Sequence, residues 1–273
     1  MTPDMFWVFA VGALWFGAIL GSFLNALLFR FNTGRGMRGR SRCMSCNHTL
    51  QYLDLVPIFS WVFLRGRCRY CGAKISFQYP LVEATAAVLS VKLLFLFYAD
   101  PSYAVLQYLF WLLVWMTLLF VVVYDLKHQI IPWSCSILLA VLAFVGLFFS
   151  FDSFSLMVPT VWALLAGPLL ALPLFLLSLV SGGRWMGFGD GALELSLGWF
   201  LGLSLGASAF MYAFWSGALV GVSLLLFARL PWSKANSRFT MKSEIPFAPY
   251  LVLGAALAYF LHVDLFSSLP TLF

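Results

Sequence analysis

Residues 103–124 read YAVLQYLFWLLVWMTLLFVVVY, an uncharged run long enough to cross a lipid bilayer as one helix. The run is followed at once by Asp125, so a carboxyl group stands where the apolar segment ends. The whole chain has a similar character, because 63% of its residues are hydrophobic, only 10% are charged and the mean hydropathy is +0.96. These values exclude a soluble globular domain and predict an integral membrane protein.

Seven further apolar runs predict an all-α polytopic membrane protein with about eight transmembrane helices. The eight runs lie at about 5–29, 81–98, 103–124, 134–151, 156–181, 190–205, 206–228 and 247–263. The sixth run is interrupted by Gly198, Gly202 and Gly206, so a short tilted helix or a hairpin is an alternative there. No basic region precedes the first run, and we therefore expect it to be retained as a helix rather than cleaved as a signal.

Basic residues are concentrated in alternate connections between these runs. Fifteen of the 16 lysines and arginines fall in the segment 30–80 and in the loops on the same side, whereas the other side carries Asp4, Asp100, Asp152 and Asp264. The positive-inside rule then places both termini outside and the basic face in the cytoplasm. The net charge of +6 indicates this topology and contact with anionic membrane lipids. It does not indicate nucleic-acid binding, because no basic stripe interleaved with aromatic residues is present.

The polar insertion after the first run carries two CxxC pairs, Cys43/Cys46 and Cys68/Cys71, separated by 21 residues. Two such pairs supply the four thiolates of a tetrahedral zinc site, which leaves no open position for a catalytic water and is therefore structural. Metal binding would supply much of the folding energy, because Leu53–Leu64 is the only sizeable apolar stretch of the insertion. Redox-active pairs are the alternative, and disulfides are disfavoured in a reducing compartment.

A second aspartate, Asp190, stands at the start of the sixth run in the sequence GFGDG of residues 187–191. The glycines would let an extended peptide backbone approach the carboxylate closely. A structural alternative is that Asp190 only caps the start of a helix. Asp125 has a similar alternative, in which it ends its span by an ion pair with Lys127 or His128.

The two aspartates are predicted to meet at the same membrane face, each next to a helix-breaking Pro or Gly. An ionisable group at membrane depth is costly and is a functional hypothesis by default. Two carboxyl groups held close together share one proton, because both cannot ionise in a site of low dielectric constant. The charged group can then activate water while the protonated group donates to a peptide carbonyl. Asp125 and Asp190 are therefore candidate acid and base of a peptide hydrolase.

The order of these motifs along the chain resembles that of type IV prepilin peptidases, bacterial aspartic proteases of the GxGD class. The resemblance covers nearly the whole chain. Its motifs are Gly21–Asn25 with Arg30, the two CxxC pairs, Gln78–Glu83, Asp125–Pro132, Gly187–Asp190 and Ile245–Pro249.

The resemblance implies that Asp125 and Asp190 are catalytic and remove the basic leader from prepilins and pseudopilins at the cytoplasmic side of the bacterial inner membrane. Many members then N-methylate the new amino terminus with S-adenosylmethionine, an activity associated with the first cytoplasmic loop. No dinucleotide-type fingerprint marks the site of that cofactor here. The implied parts are a first transmembrane helix at 1–29, a zinc-binding loop domain at 30–80 and a transmembrane peptidase domain at 81–273.

Three residues depart from the pattern of the family. Ala192 replaces a common lysine, Trp133 replaces a common Asp or Asn, and Ala248 stands where Gly is commoner. An alternative function is therefore a catalytically reduced or silent assembly protein of a pilus or of type II secretion. A transporter or channel is a further alternative, but its acidic residues are expected near the midplane between repeated halves, and the sequence shows no internal repeat.

Overall fold

The computed structural model describes residues 3–32, 39–97, 104–150, 155–228 and 246–266, most of which are helical. The helices are α1 (Pro3–Arg30), a 3-10 helix (Tyr52–Leu55), α2 (Phe59–Phe63), α3 (Gln78–Phe97), α4 (Ala104–His128), α5 (Trp133–Gly146), α6 (Val161–Ser181), α7 (Phe188–Ala228) and α8 (Ala248–Leu261), and two short strands, β1 (Phe149–Ser150) and β2 (Ser155–Leu156), separate α5 from α6. The all-α class is confirmed.

Five of the helices within the described ranges are long and apolar enough to cross a membrane, namely α1, α3, α4, α6 and α7. The helices α5 and α8 are apolar but have 14 residues each. The 41-residue helix α7 is broken at Gly202, whose φ of 75° and ψ of −179° interrupt the helical backbone, so α7 contains two successive helical segments. All eight predicted runs are thus helical, and the chain is a multi-pass membrane protein.

The predicted run 134–151 extends beyond the end of α5 at Gly146, and the predicted run 156–181 begins before the start of α6 at Val161. Between the two helices, β1 and β2 pair antiparallel with Ser150 opposite Ser155. The side-chain oxygen of Thr160 accepts the N–H of Ala163 (3.2 Å) and caps the start of α6. The pairing of β1 with β2 and the cap at Thr160 therefore set the end of α5 and the start of α6. Hydropathy alone detects neither interaction.

Part of the charge asymmetry lies outside the described residues. The charged residues outside are Arg35, Arg38, Asp100, Asp152, Arg229, Lys234, Arg238 and Lys242, and the motif residue Ile245 also lies outside.

The contacts divide the chain into two compact units, unit 1 at Met1–Phe120 and unit 2 at Val121–Phe273.

Unit 1 contains a close antiparallel contact between α1 and α3. A side chain at Gly17 would lie 2.6 Å from the carbonyl oxygen of Ala86, and one at Gly21 would lie 2.7 Å from the Cα of Glu83. The Nδ2 of Asn25 donates to the carbonyl oxygen of Tyr79 (3.2 Å). The motif residues of the first span therefore serve helix packing.

In unit 2 the helix α7 packs against α5, α6 and α8. A side chain at Gly198 would meet the backbone of Gly167 in α6 at 2.8 Å, so these two glycines allow the helices to approach closely. The α8 residue Gly254 packs in the same way against the backbone of Ala209. The indole N–H of Trp199 donates to the carbonyl oxygen of Leu164 (2.9 Å) and ties α7 to α6.

The break in α7 is held by an aspartate that follows α8. Asp264 accepts hydrogen bonds from the hydroxyls of Ser204 (2.6 Å) and Ser208 (3.0 Å), just beyond Gly202. The backbone N–H of Phe266 donates to the same carboxylate (2.8 Å). The negative charge thus lies near the start of the second half of α7, where the helix dipole favours it.

Candidate functional site

Asp125 lies in the last turn of α4 and is buried, with 4% of its surface exposed. The backbone N–H of Ala248, the first residue of α8, donates a hydrogen bond to its carboxylate. The other oxygen, Oδ2, is buried and has no hydrogen-bond partner among the described residues. An unpaired buried carboxylate oxygen is costly unless water or a substrate group binds it.

Asp190 is the third residue of α7 and is also buried, with 9% of its surface exposed. Its Oδ2 accepts the N–H of Gly187 (3.2 Å), and its own N–H donates to the carbonyl oxygen of Gly187 (3.2 Å). Asp190 is therefore not the residue that precedes the helix, as the structural alternative had it, but its carboxylate does stabilise the start of α7 by accepting the N–H of Gly187, as the third residue of a capping box does. That role engages one carboxylate oxygen and is compatible with a second role for the group.

The glycines of the GFGDG sequence allow close packing around Asp190. A side chain at Gly189 would lie 3.0 Å from the Cβ of Ile131, and one at Gly191 would lie 2.7 Å from the ring of Phe175. The contact of Gly189 with Ile131 joins the start of α7 to the segment that follows α4. Gly189 thus brings the two aspartate-bearing segments together, and Gly191 lets α6 pack closely on the start of α7.

Two aromatic contacts fix the relation of α5 to α7. The rings of Trp133 and Phe188, the first residues of the two helices, have centroids 5.9 Å apart. Eleven residues further along each helix, the rings of Phe144 and Trp199 are 5.3 Å apart. The helices therefore run parallel and begin at the same level, where the charge of Asp125 acts on Asp190.

Sequence reasoning assigned no role to the backbone N–H of Ala248, which contacts the Asp125 carboxylate. A signal was present, because Pro246 and Pro249 bracket this position and proline favours the first turn of a helix. Ala192, which replaces the family's lysine, is buried rather than solvent-facing. The helix therefore presents no cation at that position next to Asp190.

Two more polar groups are buried close to the same helix starts. Glu194 lies one turn beyond Asp190 and is 2% exposed, and Ser136 lies in the first turn of α5. The Glu194 Oε1 and the Ser136 Oγ have no hydrogen-bond partner within the described part of unit 2. Nothing in the sequence pattern distinguishes Ser136 from other small helix-packing residues.

The four cysteines of the two CxxC pairs come together in unit 1. The Sγ atoms of Cys43, Cys46, Cys68 and Cys71 lie within 4.8 Å of one another, and those of Cys43 and Cys71 are 3.9 Å apart. Zinc–sulfur bonds of 2.3 Å in a tetrahedron place sulfur atoms ~3.8 Å apart. The donor set and its spacing therefore fit a four-thiolate zinc site.

The two cysteine pairs adopt the same local backbone structure, 25 residues apart. In the first, Cys43 N–H donates to the carbonyl of His48 and Asn47 N–H donates to that of Cys43. In the second, Cys68 N–H donates to Ala73 and Gly72 N–H donates to Cys68. Asn47 and Gly72 both have positive φ (59° and 70°), a conformation that Asn and Gly adopt most readily.

The thiols of this cluster differ in acidity. The backbone N–H groups of Cys46 and Ser45 stabilise the Cys43 thiolate and lower the pKa of Cys43 to about 6. The N–H of Ala73 favours the Cys71 thiolate, but desolvation and the neighbouring thiols outweigh it and raise the pKa of Cys71 to about 11. Metal binding must therefore displace protons from part of the cluster.

Comparison with known proteins identifies relatives along most of the chain. Residues 15–97 match the model of the bacterial peptidase A24 N-terminal domain. A prepilin leader peptidase/N-methyltransferase of Aeromonas hydrophila is 30% identical over an alignment of 281 positions, which covers 92% of this chain and 90% of that protein. A protein of the same name from Bacillus subtilis (strain 168) is 33% identical, with 89% and 91% covered. A third, from Dickeya chrysanthemi, is 29% identical, with 94% of each chain covered. No solved structure matches the chain.

Proposed function

Because the chain belongs to the prepilin leader peptidase/N-methyltransferase family, we propose that it cleaves the leader of prepilins and pseudopilins with Asp125 and Asp190 as the catalytic pair. The observation that supports this proposal best is the pair of buried carboxyl groups in unit 2, one in the last turn of α4 and one in the first turn of α7. One oxygen of Asp125 has no partner in the described part of the chain. The substrate or a water molecule would complete this site.

The pair supports an acid/base mechanism without a covalent intermediate. A water molecule between Asp125 Oδ2 and Asp190 loses a proton to the ionised carboxylate as its oxygen attacks the scissile carbonyl carbon. The protonated carboxyl group gives its proton to the carbonyl oxygen. When the tetrahedral intermediate collapses, the carbon–nitrogen bond breaks and the leaving amine takes up a proton from the pair. The hydrogen bonds from Ala248 and Gly187 hold the two carboxylates during these steps.

We place the site at the cytoplasmic side of the bacterial inner membrane. The support is the concentration of Lys and Arg on the face that carries Asp125 and Asp190. The basic leader of the substrate would then stay near anionic headgroups while its apolar helix lies in the bilayer. Peptidase chemistry is assigned to residues 81–273, which contain both aspartates.

We assign a structural zinc ion to the four cysteines of the loop domain at 30–80. The ion would cross-link the two knuckles, and four thiolate ligands would leave no coordination position for substrate. Its contribution is to fix the fold of the loop. This assignment is supported by the distances between the four Sγ atoms.

The second activity implied by the family, methylation of the new amino terminus, requires S-adenosylmethionine. Unit 1 contains a cavity of about 1030 Å³, which has room for this molecule. Its walls include the aromatic side chains of Trp61 and Tyr79, the carboxylate of Glu83, and the cations Arg40 and Arg42. Aromatic rings suit the adenine, the carboxylate suits the sulfonium, and an arginine suits the amino-acid carboxylate. When bound, the cofactor would supply the methyl group.

The test is mass spectrometry of a prepilin incubated with the protein in nanodiscs, with and without S-adenosylmethionine. We expect loss of the leader mass with the native chain and an added methyl mass only when the cofactor is present. The Asp125→Asn variant should leave the substrate intact while it retains the metal. An uncut substrate with the native chain, across several prepilins, would favour the silent assembly protein instead.

The matched control is Asp264→Asn, which removes a carboxylate of unit 2 that contacts serines beside Gly202 rather than the catalytic pair. This variant should still cleave the substrate at a temperature at which it is folded. If Asp264→Asn and Asp125→Asn lost activity equally, the assignment of the catalytic pair would be wrong.

A further inference from the structure

A ten-residue uncharged segment, Leu55–Leu64, lies between the two cysteine pairs of unit 1. It reads LVPIFSWVFL and is bounded by Asp54 and Arg65. A run of this length is too short to cross a bilayer, and it has the length of a buried or re-entrant segment. The segment contains the short helix α2, and its position relative to α1 and α3 distinguishes between these two possibilities.

The side chain of Phe59 reaches the middle of a membrane span. Its ring stacks on that of Trp15, with centroids 5.6 Å apart and planes inclined by 12°. Trp15 lies within the apolar span Phe6–Arg30, ~22 Å along α1 from Arg30 at 1.5 Å per residue. A loop that remained in water beyond Arg30 would not reach this depth.

A second contact fixes the segment at an intermediate depth. The backbone N–H of Ile58 donates to Glu83 Oε2 (2.7 Å), and Glu83 lies in the span Gln78–Phe97, about 7.5 Å from its start by helical rise. Ile58 has a φ of 61°, which is unusual for a β-branched residue and points its N–H at the carboxylate. Glu83 therefore accepts a backbone amide of the segment inside the span of α3.

The backbone of the segment is hydrogen-bonded in a way that suits a medium without water. Phe59 N–H donates to Pro57 (2.6 Å), Ser60 N–H to Val56 (3.0 Å) and Val62 N–H to Ile58 (3.1 Å). The indole N–H of Trp61 donates to the carbonyl of Ile75 (3.3 Å). Backbone outside a long helix is tolerated at membrane depth only when its polar groups are satisfied in this way.

The segment has two different faces. Pro57, Ser60 and Trp61 line the cavity of unit 1, whereas the opposite face carries Phe59, Val62 and Phe63. Phe63 is 81% exposed, and Val62 is 58% exposed. Apolar surface of this kind continues along α1, where Trp15, which stacks on Phe59, and Val11 are also exposed. Large exposed apolar patches mark interaction sites, and this one is continuous with a lipid-facing helix.

We propose that Leu55–Leu64 is a re-entrant segment that inserts into the hydrocarbon of the bilayer beside α1, with its Phe63 face against lipid. The partner is the membrane, because the patch adjoins a transmembrane helix and carries no charge. The two cysteine pairs then hold the ends of the segment at the membrane surface. This arrangement also places the mouth of the cavity at the interface between lipid and water.

The proposal is tested by site-directed spin labelling in nanodiscs. Phe63 is replaced by p-acetylphenylalanine, which takes a spin label through its ketone and leaves the cysteines unmodified. Collisions with oxygen, which partitions into lipid, are compared with collisions with a water-soluble nickel chelate. Val11 on α1, 56% exposed and outside the cavity lining, provides the lipid reference, and Met44 in the first cysteine pair, 62% exposed, provides the water reference.

We expect the oxygen-to-nickel collision ratio at position 63 to match that at position 11 and to exceed that at position 44 several-fold. Dominant nickel collisions at 63 would place the segment in water and overturn the proposal. Absence of both kinds of collision would show that another protein surface, such as a second copy, covers the face, which also overturns it. If label at 63 lowers the bound metal, label at Val62, which is 58% exposed on the same face, serves instead. The result is independent of whether the protein cleaves prepilins.

Discussion

The four-cysteine cluster of unit 1 and the carboxyl pair of unit 2 are built in opposite ways. Each cysteine pair is closed by short-range hydrogen bonds, so half of the cluster forms within six residues of sequence. The carboxyl pair joins the end of α4 to the start of α7, 65 residues later, and its hydrogen bonds also involve the start of α8. The first site depends on local turns and a metal, and the second depends on the packing of a whole unit.

This difference predicts that the two sites fail separately. A change of charge at the aspartates should affect chemistry and leave the cysteine cluster intact. A change at the cysteines should affect the local fold of unit 1 more than the chemistry of unit 2. The following variants test this separation, in order of decreasing effect.

The largest effect is expected for Asp190→Asn, which cannot act as an acid or a base. We expect leader cleavage to fall by at least about 10³-fold, because proton transfer by both carboxyl groups is needed. The amide preserves the size of the side chain and one acceptor for the N–H of Gly187. The rate is measured by mass spectrometry of a prepilin under single-turnover conditions.

Bound metal and the melting temperature are measured on the same Asp190→Asn preparation. Both should equal those of the native chain. A variant that unfolds or loses its metal would show that Asp190 acts mainly as the cap of α7, and the separation of the two sites would then be rejected.

The second effect concerns Cys68→Ser, which removes the buried thiol of the cluster. Structural zinc sites contribute on the order of 10 kcal/mol to folding, so we expect loss of the metal and a loop that is cut rapidly by protease. Leader cleavage should fall less than tenfold, a much smaller loss than that of about 10³-fold expected for Asp190→Asn. Atomic absorption gives the metal content, and limited proteolysis maps the cuts.

Cys135→Ser is the matched control for Cys68→Ser, since Cys135 lies in α5 and outside the cluster. It should retain the metal and resist protease. Equal loss of cleavage in Cys68→Ser and Asp190→Asn would contradict the independence of the two sites.

The sequence predicted the local site more completely than the distant one. The spacing of the cysteines predicted their cluster, since a CxxC turn needs no tertiary contact to bring two thiols together. Each of the eight apolar runs is helical, two of them within α7, but the short helix α2 was not predicted and the break at Gly202 was placed several residues late because hydropathy does not report φ. The amide of Ala248 beside Asp125, the contact of Gly189 with Ile131 and the depth of Phe59 were not predicted. All three are contacts between segments that are distant in the sequence, and they depend on how the helices pack against one another.

A smaller effect is expected within the cysteine cluster, where Asn47 and Gly72 occupy equivalent turns. Gly72→Ala forces a left-handed conformation on a residue with a Cβ, which costs about 1.4 kcal/mol and should weaken metal binding about tenfold. Asn47→Gly should change the affinity by less than about twofold, because both residues adopt this conformation. Competition with a chelator gives both affinities. An equal change of metal affinity in Gly72→Ala and Asn47→Gly would show that the two turns differ in structure when the metal is bound.

The smallest effect is expected at Asp264, far along the sequence from both sites. Burial opposes its charge, but hydrogen bonds from Ser204, Phe266 and Ser208 prevail and hold the pKa of Asp264 below its usual value of 3.8. A lowered carboxyl pKa stabilises the fold above the usual range and loses this effect as the pH falls through the lower, folded-state value. Asp264→Asn should therefore lower the stability by about 1 kcal/mol at pH 7 and by less near pH 3. Thermal unfolding at the two pH values measures this, and a pH-independent difference would mean that hydrogen-bond geometry, rather than charge, holds the break at Gly202.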